Sequence, residues 1–471
     1  MGRAKGKFRT EHDLLGPLKV PADAYWGVQT QRAIDNFKIS GVPVSHYPEF
    51  VRAFAMIKLA AARANHEVGA LDRRVLKGIE AACRDIMEGG LHDQFPVDVF
   101  QGGAGTSTNM NANEVIANRA LELMGKRKGD YAACDPHDHV NLSQSTNDAY
   151  PSAIHLAILL SNDSLIERLD ALVAAFRRKA KEFARVLKMG RTQLQDAVPM
   201  TLGQEFEAFA GSLADEAGTL RRVERALLEV NMGGTAIGTG LNAAPGFTKA
   251  CVRHLSKVTG RKFTAAPDLV EATQDTQAFV LYSSCLKSLA IKLSKVCNDL
   301  RLLASGPRAG LGEIRLPAKQ PGSSIMPGKV NPVVPEVANQ VCFRVIGSDL
   351  TVTMAAEAGQ LQLNVMEPVI AACILESQAM LRNAADTLRT QCIDGIEADE
   401  AVCRRFVENS IGIVTALNPV IGYEKATELA AEALRTGRGV VELVREKGLL
   451  SEKKLAEVMD PARMAGTRGR R

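Results

Sequence analysis

Apolar residues recur at helical spacing through most of the middle of the chain. From Phe279 to Leu303 they alternate in steps of three and four without a break, which is the heptad pattern of a helix packed lengthwise on other helices. Similar runs begin near Glu49, extend from Pro151 to about Lys188, and cover Gly203–Val230 and Val333 to about Ala358. Helices of 25 residues or more predict a long bundle, about 40 to 50 Å at 1.5 Å per residue.

Polar, turn-rich stretches divide these periodic runs. The opening to about Gly41 is punctuated by Pro and Gly, and past about Ala398 the pattern changes to shorter helices with Gly and Pro breaks. We therefore expect a mostly α protein with three domains. Their expected bounds are residues 1–143, a central long-helix domain 144–398 and a small C-terminal domain 399–471.

Composition excludes several classes of function. The 471 residues are 46% hydrophobic and 24% charged, as in ordinary globular proteins. Much of the net charge of +5 lies at the two ends of the chain. The sequence lacks a basic stripe with interleaved aromatic residues, so we do not expect nucleic-acid binding. The sequence has no run of 18 apolar residues that would predict a membrane span. It also has no apolar run after the basic N-terminus that would predict a secretory signal.

Nine cysteines are present, an odd number with no Cys-x-x-Cys pair. Several lie inside apolar helical patterns, so we expect reduced, buried thiols in a cytoplasmic protein rather than a disulfide framework or a zinc site. His137 and His139 lie two residues apart in a segment that reads as a turn. We do not favour metal ligation there, because two nearby histidines alone are weak evidence for a site.

The most informative stretch is the eleven-residue segment from Gly322 to Pro332, with sequence GSSIMPGKVNP. Its glycines permit unusual backbone angles and its prolines fix theirs, which suits a loop that moves and then closes to one geometry. Two adjacent hydroxyls, one cation and one amide lie within it. A phosphate-binding P-loop is excluded, because five residues separate Gly322 from Gly328 and Val330 follows the lysine.

Three further polar breaks each lie next to a long helical pattern: Gln101–Asn111, Asn141–Asp148 and Gly190–Asp196. Glycines, hydroxyls and amides before a helix can present N–H donors to an anion. The alternative is that these runs simply cap the helices. The residues alone leave both interpretations open.

The segment Gly322–Pro332 resembles the signature loop of the aspartase/fumarase superfamily, and Glu357–Pro368 resembles its ammonia-lyase branch. The resemblance extends from about Asp13 to about Leu450. It implies a three-domain, mostly α fold whose central helices form a 20-helix core in a homotetramer. It also implies a dicarboxylate substrate, no required organic cofactor, active sites that each use three subunits, and no nucleic-acid or membrane partner. Activation by a divalent cation is left open.

The resemblance also implies a role for each polar break. Ser323 matches the family's catalytic base. Residues that match the groups holding the β-carboxylate are Thr106, Ser145, Thr146 and Ser324. Residues that match the groups holding the α-carboxylate are Thr192, Lys329 and Asn331. Residues that match the groups facing the amino group are Asn147 and Gln193.

Two positions bear on the substrate. Ala104 stands where the family's hydratases usually carry serine, and Gln193 stands where the hydratases, and some of the ammonia-lyases, carry histidine. A hydratase must assist a poor hydroxide leaving group, whereas ammonia leaves more easily. Both positions favour an ammonia-lyase over the alternative, a class II fumarate hydratase. A third hypothesis is a non-catalytic structural protein derived from a lyase. It is disfavoured because the chain keeps the family's residues at four site positions: Thr106, Ser323, Lys329 and Asn331.

Overall fold

The computed structural model describes residues 7–322, 325–464 and 466. The described residues group by their contacts into two compact units. The first contains residues up to 165, 219–287 and 344–380, and the second contains 166–218, 288–343 and those from 381 onward. Among the described residues, no helix is both long and apolar enough to cross a membrane. The expected three-domain division stays a prediction.

The first part of the chain forms a hairpin and a group of helices. Its elements are β1 (Phe8–Asp13), β2 (Gly16–Pro21), α1 (Val28–Asn36), α2 (Pro48–Glu67), α3 (Arg73–Met87) and α4 (Thr106–Leu123). β1 and β2 pair antiparallel from Phe8↔Pro21 to Asp13↔Gly16. The apolar face predicted from Glu49 onward is buried, because α2 packs on α3 and α3 packs on α4.

The middle of the chain contains the long helices. Its elements are α5 (Thr146–Glu182), β3 (Leu187–Thr192), β4 (Gln195–Thr201), α6 (Leu202–Leu227), β5 (Glu229–Val230), α7 (Phe247–Thr259), β6 (Thr264–Ala265), α8 (Leu269–Gln274), α9 (Gln277–Leu303), β7 (Ile314–Arg315), α10 (Val333–Glu357), α11 (Glu367–Gln391) and β8 (Glu397–Ala398). Helices α5, α6, α9, α10 and α11 span 37, 26, 27, 25 and 25 residues.

Short helices follow, as the break in the pattern predicted. They are α12 (Glu400–Asn409), α13 (Val414–Ile421), α14 (Tyr423–Thr436), α15 (Val440–Glu446), α16 (Glu452–Val458) and α17 (Pro461–Met464). The mostly α fold class is confirmed. Within the described residues the sheets are small two-stranded pairs, of which only the β5–β6 pair is parallel.

The structure corrects three expectations. Helix α5 ends at Glu182 rather than near Lys188, because the chain turns into the β3–β4 hairpin. Helix α11 was not predicted as a separate long helix. The segment around His137 and His139 is a single π-helical turn, Pro136–Val140, instead of an ordinary turn.

The heptad pattern of α9 is confirmed as a buried face. All eight of its periodic apolar residues, from Phe279 to Leu303, are at most 5% exposed. In the first unit, Tyr282 of α9 donates a 2.6 Å hydrogen bond to Asn162 of α5, and Gln378 of α11 donates to Tyr282 Oη at 2.7 Å. These buried hydrogen bonds fix the alignment of α5, α9 and α11. If one helix slid along the others, a buried polar side chain would lose its hydrogen-bond partner.

In the second unit, the β3–β4 hairpin packs against the C-terminal helices. Met189 of β3 lies in one apolar cluster with Val407 of α12 and Leu417 of α13. Beneath the hairpin, Lys188 Nζ lies 3.0 Å from Glu313 Oε2, and Arg191 Nη1 lies 2.8 Å from Glu313 Oε1. A fully buried carboxylate held by two cations fixes the strand that leads to Thr192.

Candidate active site

The N-termini of α4 and α5 meet in the first unit. Gly105 precedes α4 with φ +89°, and a Cβ built there would lie 2.3 Å from the ring of Tyr150, the fifth residue of α5. Tyr150 is itself buried against Phe50 and Phe54. The absence of a side chain at Gly105 therefore lets two helix N-termini approach each other. Free N–H groups and the positive end of the helix dipole favour an anion at such a position.

We expect Gly105→Ala to destabilise the fold by about 2 to 4 kcal/mol. About 1 kcal/mol comes from forcing alanine into the left-handed region, and about 1 to 3 kcal/mol comes from the collision with a buried ring. The measurement is the urea midpoint of unfolding.

Gly103→Ala is the matched control. Gly103 has φ +90°, but the nearest atom to a Cβ there is Thr106 Cβ at 3.8 Å. This variant pays the conformational cost alone, so its loss should be clearly smaller. Equal losses for the two variants would contradict the close packing of α4 on Tyr150.

Ser145 and Asp148 form a reciprocal cap at the start of α5. Ser145 N donates to Asp148 Oδ1 (2.9 Å), and Asn147 N donates to Ser145 Oγ (3.2 Å). Gly233 N and Thr235 N both donate to Asp148 Oδ2 at 3.0 Å. Burial raises the pKa of Asp148 to about 6, and these backbone donors act in the opposite direction. This stretch therefore caps α5. The cap leaves the Ser145 hydroxyl proton available to another acceptor, so anion binding by the same stretch stays a prediction.

Thr146 is oriented by an amide from α4. Asn109 Nδ2 donates to Thr146 Oγ1 (3.1 Å) and also to Asn141 Oδ1 (3.2 Å). Asn109 lies one turn beyond Thr106, whose own Oγ1 donates to Gly103 O (2.8 Å). Because the Thr146 oxygen accepts from an amide, its hydroxyl proton can point elsewhere and donate to a ligand.

Asn147 is held by the glycine-rich segment that follows β5. Its Nδ2 donates to Ala236 O at 2.7 Å, and its backbone oxygen accepts from Asn231 Nδ2 at 2.9 Å. The first bond fixes the plane of the amide and leaves Oδ1 as an acceptor. An amide oxygen in this position suits an amino or ammonium group.

In the second unit, Thr192 and Gln193 lie at the tip of the β3–β4 hairpin. Thr192 pairs with Gln195, so the loop has two residues, Gln193 and Leu194. Both have positive φ, 55° and 61°, as a type I′ hairpin turn requires. Non-glycine residues pay a conformational cost there, and such strain is concentrated at functional sites. Both predicted site residues are exposed at the tip.

Lys329 and Asn331 also belong to the second unit. Gly322 N donates to Lys329 O at 2.8 Å, which ties the first residue of the signature segment to Lys329. A Cβ at Gly322 would lie 2.2 Å from that same oxygen, so glycine is required for this closure. Lys329 is exposed and Asn331 is half-buried. Ser323 and Ser324 lie outside the described residues.

The structure thus brings Ser145, Thr146 and Asn147 together beside the start of α4 with Thr106. It describes Thr192, Gln193, Lys329 and Asn331 in the other unit. The sequence interpretation did not identify the supporting residues Asn109, Asn141 and Asp148. The only sequence signal for them was the density of amides in the two polar breaks.

The histidines near Pro136 are engaged within the chain. Gln29 Nε2 donates to His137 Nε2 (2.8 Å), and Asp135 N donates to His139 Nδ1 (2.8 Å). Among the described residues, no three His, Cys, Asp or Glu side chains are grouped to hold a metal ion. All nine cysteines lie within the described residues; none of them forms a disulfide, and eight are buried.

Comparison with protein families adds two matches. A family model described as Lyase matches residues 16–347, and one described as Fumarase C C-terminus matches residues 413–466. Together they include all the polar breaks and most of the short C-terminal helices.

Individual relatives match over nearly the full length. An aspartate ammonia-lyase of Pseudomonas fluorescens is 60% identical over 98% of this chain and 97% of its own. A fumarate lyase:delta crystallin structure from Brucella melitensis, bound to cobalt, has a TM-score of 0.94 at 56% identity and covers 98% of this chain and 100% of its own. A class II fumarase structure from Schistosoma mansoni has a TM-score of 0.89 at 34% identity, with the same coverage.

Proposed function

The chain belongs to the lyase family that includes aspartate ammonia-lyases and class II fumarases, and from this premise we propose that it converts L-aspartate to fumarate and ammonia. It is a carbon–nitrogen lyase. The observation that carries the choice of substrate is the 60% identity with aspartate ammonia-lyase over 98% of the chain, against 34% for the fumarase.

The elimination requires removal of a weakly acidic proton from C3 of aspartate. The electron pair moves onto the adjacent β-carboxylate, which becomes a doubly charged aci-carboxylate before the C–N bond breaks. Preorganised donors aimed at this carboxylate stabilise the transition state, and loss of one typically costs about 3 kcal/mol.

We assign the β-carboxylate to the meeting point of α4 and α5. Ser145 and Thr146 supply hydroxyl donors there, together with Ser324. Thr106 would join them by exchanging its bond to Gly103 O for one to the substrate. The support is the geometry around Thr146 and Ser145: both oxygens accept hydrogen bonds within the protein, so both protons can face the substrate. The two helix N-termini add a favourable field for the developing charge.

The α-carboxylate is assigned to Lys329, Asn331 and Thr192, which would supply one cation and two neutral donors. Asn147 and Gln193 face the amino group. The fixed amide plane of Asn147 supports this role, because its Oδ1 is the atom left to accept from an ammonium. These donors would come from more than one subunit in a homotetramer.

Ser323 is assigned as the base that takes the C3 proton. A serine hydroxyl is a very weak acid, so the site must stabilise its alkoxide, through loop closure and through the nearby Lys329 charge. We propose that no organic cofactor takes part. Cobalt is bound in the related Brucella structure, so a divalent cation is proposed here only as an activator, outside the steps above.

The proposal is tested by supplying L-aspartate alone and measuring both products. Fumarate, followed by its ultraviolet absorbance, and ammonia, followed by a coupled assay, should form in equal amounts. Release of neither product by a folded protein would refute the proposed function.

The assembly follows from an exposed apolar stripe along α10. Phe343, Leu350 and Met354 are spaced by seven and four residues, lie on one face at 3.6 residues per turn, and are 62 to 65% exposed. A row of large apolar side chains on one helix is unusual for the surface of a monomer. We therefore expect a homotetramer of about 200 kDa, four times 50.6 kDa, in light scattering. A stable, active monomer would contradict both the assembly and the shared site.

A further inference from the structure

Lys58 is a fully buried lysine in the middle of α2. Its side chain has no solvent exposure. The ammonium donates to Asn141 Oδ1 at 2.9 Å and to Gln144 Oε1 at 3.0 Å. Both acceptors are neutral amides, whereas buried cations in proteins are usually paired with an anion because desolvation is costly.

The charged and titratable groups around Lys58 come from three packed elements. Asp148 lies on α5, Cys83 on α3 and Cys251 on α7. Burial raises the pKa of both thiols, so they are neutral. Asp148 already accepts hydrogen bonds from the three backbone N–H groups of its cap. Among the described residues, no carboxylate lies within ion-pair distance of Lys58.

The hydrogen bonds of Lys58 lead to the proposed β-carboxylate site. Asn141 Oδ1, which accepts from Lys58, also accepts from Asn109 Nδ2 at 3.2 Å and from Asn113 Nδ2 at 3.1 Å. Asn109 Nδ2 in turn donates to Thr146 Oγ1 at 3.1 Å. Three donors on one amide oxygen fix Asn141, and through Asn109 they fix the direction of the Thr146 hydroxyl.

We propose that Lys58 is a positioning residue for the elimination, and that the substrate's β-carboxylate supplies the anion that balances its buried charge. The Asn141–Asn109–Thr146 chain transmits the orientation, while the charge acts through the low-dielectric interior. The inference rests on the proposed function, because it requires a dicarboxylate at this site. As the second negative charge develops on the aci-carboxylate, its attraction to the Lys58 ammonium becomes stronger. This stabilises the transition state of the chemical step.

This arrangement predicts that substrate binding changes the protonation state of Lys58. Burial lowers the pKa of Lys58 to about 7 in the free protein. A bound dianion raises the pKa of Lys58, because the charged lysine then faces an anion. The extra affinity for the dianion that this charge supplies is complete below pH 7. It is lost as pH rises through the raised pKa of Lys58 in the complex. Between the two values, dissociation constants should rise by up to about tenfold per pH unit. Binding at pH 8 should therefore take up a proton.

The test is calorimetry of succinate binding to the full-length protein at pH 8. Succinate is a four-carbon dicarboxylate without an amino group, so it binds without reacting. Titrations in buffers of different ionisation enthalpy give the number of protons taken up. We expect uptake in the unaltered protein and none in Lys58→Met, with affinity at least about tenfold weaker and kcat at least about a hundredfold lower.

Lys128→Met is the matched control. Burial also lowers the pKa of Lys128, but its ammonium lies over the Tyr25 ring and donates to Asp23 O at 2.6 Å. Lys128 follows the C-terminal end of α4, which lies about 25 Å along the helix from Thr106 at 1.5 Å per residue. Proton uptake and kcat should remain close to those of the unaltered protein.

Asn141→Asp is a second variant, for the case in which Lys58→Met fails to fold. A carboxylate at position 141 would pair with Lys58 before substrate arrives and keep it charged. Proton uptake should disappear and succinate affinity should fall at least about tenfold, although Lys58 is still present. A carboxylate there accepts the same three donors and loses only the 3.3 Å bond from Asn141 Nδ2 to Gln144 O, so the fold should be retained.

Each outcome decides the matter. Absence of proton uptake by the unaltered protein overturns the proposal, as does uptake that persists in Lys58→Met or in Asn141→Asp. If the unaltered protein forms fumarate and ammonia from aspartate but takes up no proton with succinate, only the role of Lys58 fails. If it forms neither product, the proposed function itself fails.

Discussion

Ser323→Ala is expected to lower kcat by at least about a thousandfold while the protein folds normally. Loss of a general base removes the acceptor for the C3 proton, and water cannot replace it in a closed site. Substrate affinity should change little, because the carboxylates are held by other residues. Steady-state kinetics with L-aspartate, together with succinate inhibition, separates the two effects.

Ser164→Ala is the control for this experiment. Ser164 Oγ donates to Ser161 O within α5 at 2.9 Å, so its removal costs only a local hydrogen bond and kcat should be unchanged. Near-normal turnover of Ser323→Ala would show that another group takes the proton.

Asparagine and glutamate should each react at least about a thousandfold more slowly than aspartate, measured as kcat/KM. Glutamate carries an extra methylene that moves one carboxylate out of reach of Thr106, Ser145 and Thr146. Asparagine presents a neutral amide to donors arranged for an anion, and an amide cannot carry the developing dianion. Comparable rates for aspartate and asparagine would contradict the aci-carboxylate assignment.

The long helices were predictable where the apolar period was unbroken. In α9 the steps of three and four continue from Phe279 to Leu303, and every one of those residues is buried. At the end of α5 the same spacing continued by coincidence to Leu187, which lies in β3. Lys188, Met189 and Gly190 are buried consecutively, so this strand shows no alternation that could have revealed it.

The site was predictable only in part, for a physical reason. Short runs such as Ser145–Asn147 carry their chemistry in sequence, and the resemblance assigns roles to them. Lys58 follows Ile57 on an apolar helix and reads as an ordinary surface lysine. Its contacts with Asn141 and Gln144 join residues more than 80 positions apart, and no local pattern encodes a contact of that kind.

The central claim is that ammonia, rather than water, leaves the four-carbon dicarboxylate. The most direct measurement compares fumarate formation from L-aspartate and from L-malate by the same protein under the same conditions. Malate fits both carboxylate sites, but Gln193 and Ala104 offer no proton donor for a departing hydroxide. We expect rapid fumarate formation from aspartate, with malate acting as a competitive inhibitor that yields little fumarate. Rapid formation from malate with none from aspartate would contradict the lyase assignment and identify a hydratase on the same fold.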